Sequence, residues 1–148
     1  MGARDAGVLL QTDTFFGAAG ARLKLRDFRD GTAELIAYRR PDEPEARGSE
    51  YLICPVSAPT ELVDTLAYAL GVAGVVKKKR HLFLFQHTRI HLDEVEGLGT
   101  FVELETVLSD QSDDEARREL DGVAEALALR AEDAVPRPYV DLLRRTNA

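Results

Sequence analysis

The sequence predicts an α+β fold dominated by one antiparallel sheet. Three features predict it. Apolar and polar residues alternate with period two through most of residues 8–107, the signature of strands with one apolar face. The links between these runs are short and carry turn residues, and short links join antiparallel neighbours. Near residues 59–70, and again after Ser109, the apolar period lengthens to that of a helix.

Taken in order, residues 1–7 are polar and without periodicity. Residues 8–16 read as a strand with Gln11, Asp13 and Phe15 on one parity, and residues 17–20 as a turn. Residues 21–28 alternate cleanly, with Arg22, Lys24 and Arg26 set against Leu23 and Leu25. Asp30-Gly31 is a hairpin signal before a strand at 32–40. A proline- and charge-rich loop at 41–48 leads to a strand at 49–56, halted by Pro55. Residues 59–70 place Leu62, Leu66 and either Ala69 or Leu70 on one helical face, with Thr60 as a cap. After glycines at 71–74 a long strand at 75–85 carries Lys77-Lys78-Lys79-Arg80. Residues 88–106 form a hairpin around Gly97 and Gly99. Arg89, His91 and Asp93 share one parity of its first strand, Glu103 and Glu105 one parity of its second. Ser112 and Glu115 make a capping box ahead of an apolar stripe at Leu120, Val123, Ala124 and Leu127. Pro136 and Pro138 end that helix, and 138–145 restarts a short one that buries Val140, Leu142 and Leu143. The prediction is thus about seven strands and three helices in a single domain, 1–148.

The chain has 148 residues, enough to bury a core, and 45% are apolar, which excludes a disordered chain. A net charge of −7 argues against non-specific nucleic-acid binding. No apolar run approaches a membrane span and no signal-peptide pattern opens the chain. One cysteine, Cys54, rules out an internal disulfide and fits a reducing cytosol, so the expected location is cytoplasmic. Cys54 itself reads as a small buried apolar residue.

The charged strand faces carry the functional signal. Lys24, Arg26, Arg39, Lys78, Arg80 and Arg89 supply cations; Asp93, Glu103 and Glu105 supply carboxylates. Two architectures fit. An open sheet would bury its apolar face under helices and leave the charges in water. A sheet curled into a barrel would face them inward, where a polyphosphate with a divalent cation balances them.

The runs QTDTFF (11–16), ARLKLRDF (21–28), AYRRP (37–41), VVKKKR (75–80), RIHLDEVEGLGTFVELE (89–105) and PYVDLL (138–143) resemble the CYTH superfamily. That group holds class IV adenylyl cyclases, thiamine triphosphatases and inorganic triphosphatases, the triphosphate tunnel metalloenzymes. HLDEVEGLG followed by E-x-E is the most specific part. The resemblance implies an antiparallel β-barrel or tunnel with covering helices and a triphosphate substrate such as tripolyphosphate, ATP or thiamine triphosphate. It implies phosphate binding by Lys24, Arg26, Arg39, Lys78, Arg80 and Arg89. It also implies Mg²⁺ or Mn²⁺ on Asp93, Glu103 and Glu105, and catalysis by Lys78, Arg80 and Asp93. No role is expected for His91.

The family's opening E-x-E-x-K strand and first helix have no counterpart in the sequence. Either the natural protein starts further upstream, which is the favoured expectation, or this short form leaves the tunnel open or closes its edge as a homodimer. Three function classes remain: a metal-dependent triphosphate-processing enzyme, a polyphosphate- or nucleotide-binding module without turnover, and an interaction protein with a solvated charged face. With no nucleobase-binding motif visible, hydrolysis ranks above cyclisation of ATP to cAMP with release of pyrophosphate. Neither nucleic acid nor membrane is an expected partner.

Overall fold

A computed structural model describes residues 1–39 and 50–148. The loop predicted at 41–48 lies outside the described residues, as do Arg40 and Ser49 at the ends of the flanking strands. The elements run β1 (Arg4–Phe16), β2 (Arg22–Asp27), β3 (Ala33–Arg39), β4 (Glu50–Val56), α1 (Pro59–Leu70), β5 (Val72–Phe85), β6 (Thr88–Val95) and β7 (Gly99–Thr106). Then follow α2 (Asp113–Ala126), a 3₁₀ turn (Ala131–Asp133) and α3 (Tyr139–Thr146). The seven strands form one sheet in the order β4-β3-β2-β1-β5-β6-β7. The pairs β1–β2, β2–β3, β3–β4 and β6–β7 are antiparallel. Among the described residues the order has two end strands, β4 and β7. The α+β class is as the sequence predicts.

The chain forms two compact units, Met1–Leu9 with Lys79–Pro138, and Leu10–Lys78 with Tyr139–Ala148. In the second unit Phe16, Leu25 and Ala33 form a core against Leu62, Val63, Leu66 and Ala67 of α1. Each large apolar side chain fully buried there contributes about 1.5–3 kcal/mol. Leu62 and Leu66 face inward as predicted. Their partners are Val63 and Ala67, while Leu70 is 42% exposed. Thr60 does not cap α1. The N-cap is Ala58, Pro59 opens the first turn, and proline suits that turn because its missing N–H would be unpaired there anyway. Gly71, at φ 74°, ends the helix and donates its N–H to Ala67. Gly17 donates to the Gly71 carbonyl at 3.2 Å, and a Cβ on Gly17 would stand 2.7 Å from the Leu70 oxygen. Glycine is required at that approach.

In the first unit, α2 packs on β6 and β7 through Ala116 and Val123. Ser112 and Glu115 form the predicted capping box. Glu119 ties the helix down: its carboxylate accepts from the His87 N–H at 2.9 Å and the Thr88 hydroxyl at 2.6 Å. Burial opposes its charge, yet the hydrogen bonds from Thr88 and His87 outweigh that and hold its carboxyl below the ordinary range. The helix ends at Ala126, well before the prolines expected to break it. Ala128 turns left-handed at φ 54°; its N–H bonds the Glu125 carbonyl, and that of Leu129 bonds the Ala124 carbonyl. This is a Schellman stop with alanine where glycine is usual.

Two further predictions are corrected. β1 begins at Arg4, ahead of the strand expected from residue 8. Cys54 is exposed, because β4 is an edge strand and lacks the cover a central strand receives.

Candidate functional site

In the second unit, parity and register bring the cations together. β1 pairs Asp13 with Arg26 and Phe15 with Lys24, so all four share one face. The opposite face, with Phe16, Leu23 and Leu25, packs under α1. Asp13 is 1% exposed. Its Oδ1 accepts from Arg26 Nε at 2.8 Å, and its Oδ2 from Arg26 Nη2 at 2.7 Å and Lys24 Nζ at 3.1 Å. Lys78 Nζ, also buried, approaches the same Oδ2 at 3.6 Å. Burial works against the Asp13 charge. The Arg26 hydrogen bonds and the charges of Lys24, Arg26 and Lys78 overcome it and hold the carboxyl far below its usual range. Rings flank the cations: Lys24 Nζ lies 5.4 Å from the Phe15 centroid and 5.5 Å from that of Tyr38, and Lys78 Nζ lies 5.5 Å from that of Tyr139.

In the first unit, β6 and β7 set Arg89 opposite Glu105, His91 opposite Glu103 and Asp93 opposite Phe101. Arg89, His91, Asp93, Glu103 and Glu105 therefore share one face. Arg80 reaches into it. Its Nε and Nη2 hold the two oxygens of Asp93 at 2.8 and 2.7 Å, and Nη2 also meets Glu103 at 3.0 Å. Arg80 and Asp93 are buried. This fork-to-carboxylate geometry is specific to arginine. The alternation of β5 explains the K-x-R spacing: Val76, Lys78 and Arg80 are buried while Lys77 and Lys79 are exposed.

The remaining predicted residues sit apart. Arg89 is exposed and lies 3.6 Å from Glu105. Arg39 is exposed, opposite Glu50 at the end of β3, on the parity of Leu35 and Ala37. That parity is opposite to the one Lys24 and Arg26 use, so the ladder does not bring Arg39 to their cluster.

Asp13, to which the sequence assigns no role, is the carboxylate at the centre of this cluster. Its parity with Phe15, opposite Lys24 and Arg26, is the signal that could have found it. Two buried polar atoms lack a hydrogen-bond partner among the described residues, Gln11 Oε1 and His91 Nδ1; the latter is 3.8 Å from Glu103.

Among the described residues no three of His, Cys, Asp or Glu are grouped to hold an ion. Asp93 has both oxygens on Arg80, Glu103 shares that arginine, and Glu105 faces Arg89. The expected Mg²⁺ or Mn²⁺ trio Asp93, Glu103 and Glu105 thus does not fit a divalent cation in this arrangement.

A family model described as the CYTH domain matches residues 1–139. No protein of curated function matches the chain. Among solved structures, the PH1012 protein of Pyrococcus horikoshii is 26% identical, with a TM-score of 0.86 over 95% of this chain and 86% of its own. A conserved hypothetical protein of Pyrococcus furiosus is 25% identical, with a TM-score of 0.85 over the same shares, 95% and 86%. A candidate adenylate cyclase of Vibrio parahaemolyticus, 22% identical with a TM-score of 0.75, covers 97% of this chain and 86% of its own and shares the fold.

Proposed function

We propose, from the premise that this chain belongs to the CYTH domain family, that it binds and processes a triphosphate-bearing substrate. Family members are triphosphatases or adenylyl cyclases, and triphosphate chemistry is what membership supports. One observation carries the reading: Lys24, Arg26 and Lys78 converge on one buried carboxylate, that of Asp13. Cationic heads preset at hydrogen-bond range are what a chain of phosphate oxygens requires. In the first unit, Arg80 with its planar fork is a candidate in its own right. Phosphoryl transfer asks the protein mainly for positioning and charge stabilisation, which these groups supply. Hydrolysis of the triphosphate is the favoured reaction.

A second reading, binding without turnover, draws on the engagement of Asp93 and Glu103 by Arg80. The family is generally dependent on divalent metal. No step is routed through a metal here, because Asp13, Asp93, Glu103 and Glu105 each face arginine or lysine.

Calorimetric titration with tripolyphosphate, with and without Mg²⁺, tests the assignment. Lys24→Ala and Lys78→Ala should each weaken binding by about tenfold or more. Equal affinity in both variants and the parent would sink the reading. Release of phosphate, pyrophosphate or cyclic nucleotide then separates hydrolase, cyclase and binding module.

A further inference from the structure

The charged face of the second unit continues into a line of rings. Tyr38, buried on β3, lies beneath Lys24. Its cross-strand partner on β4 is Tyr51, and the two rings stack with centroids 5.7 Å apart and planes 25° from parallel. Register fixes which face this is. Tyr38 pairs with Arg22 on β2, so Tyr51 shares the face of Arg22, Lys24 and Arg26. Unlike Tyr38, Tyr51 is 45% exposed. A lone exposed tyrosine needs no explanation. An exposed ring fixed in orientation by a buried one, on the face that carries the cations, is a preset stacking platform.

We propose that Tyr51 is a specificity-determining residue, on which a flat aromatic ring tethered to the polyphosphate stacks. This rests on the phosphate assignment to Lys24, Arg26 and Lys78. β4 lies two strand spacings from β2, about 9–10 Å. A ring on Tyr51 and phosphates at Lys24 and Arg26 therefore belong to a ligand with a sugar or short carbon linker between them. The chemical class is an aromatic polyphosphate ester, of which a nucleoside triphosphate is one, in preference to inorganic tripolyphosphate.

The test compares ATP with tripolyphosphate on the full chain by calorimetry. In Tyr51→Leu, ATP should bind about tenfold or more weakly, the loss of one stacked base, while tripolyphosphate stays within about twofold. Tyr51→Trp should keep or strengthen ATP binding and gives a readout should the leucine variant fold poorly. Unchanged ATP affinity in Tyr51→Leu, or wild-type binding of tripolyphosphate but not ATP, overturns the inference and leaves the phosphate assignment standing. Failure of wild type to bind either ligand overturns both.

Discussion

Replacing Asp13 with asparagine removes one charge and almost no volume. Lys24, Arg26 and Lys78 then lose the carboxylate they share, at 3.1, 2.7 and 3.6 Å. Breaking a buried ion pair from one side costs about 3–5 kcal/mol, because the cations left behind stay desolvated. For a chain of this size each kcal/mol moves the midpoint by about 2–4 °C, so Asp13→Asn should lower Tm by about 6–20 °C. The pH dependence follows from the same carboxyl. Its folded pKa is depressed, so the folded state binds fewer protons than the unfolded. The stabilisation is complete above the ordinary value of 3.8 and is lost as pH falls below it. Urea titrations from about pH 6 to pH 2.5 should therefore show the gap between parent and variant narrowing toward the acid end. Tripolyphosphate adds a second arm. An anion that takes the place of the carboxylate should raise Tm further in Asp13→Asn than in the parent. A variant within about 1 kcal/mol of the parent at neutral pH would refute the reasoning, since the three cations would then be screened by water.

Ala128→Gly should stabilise the protein by about 1 kcal/mol, because the left-handed position at the end of α2 costs alanine what glycine avoids; a urea midpoint measures it. Glu119→Gln should cost about 1–2 kcal/mol at neutral pH. The difference should vanish as pH falls through the acid range below 4.5, where the depressed carboxyl loses its advantage, and circular dichroism across that range would show it. Gly17→Ala should cost about 1–3 kcal/mol, since its Cβ would meet the Leu70 carbonyl at 2.7 Å and backbone cannot move aside as a side chain can; an unchanged thermal midpoint would contradict this.

Alternation made most of the sheet legible. Lys78 and Arg80 could be read as sharing a face because strand periodicity is local. Which carboxylate each cation meets is not local: Asp13 is 65 residues from Lys78 by their numbers, and only the β1–β2 register reveals it as the hub. The face of Arg39 is not legible for the same reason, since at a strand end the parity of one residue decides it. Cys54 misled because alternation is identical on edge and central strands. The start of β1 was hidden by Gly7 and two charged residues, Arg4 and Asp5, and the end of α2 by an alanine that does a glycine's work.

The edge strand β4 also bears on how the protein behaves in a tube. Leu52 and Ile53 are 77% and 57% exposed, and Cys54 beside them carries a free thiol. Such a ribbon invites a neighbouring chain to add to the sheet as concentration rises. Pro55, which has no amide hydrogen, denies that neighbour one rung and acts as a gatekeeper. Concentrated stocks should thus clump by way of this ribbon, and air oxidation should turn loose encounters into covalent ones unless a reductant is present.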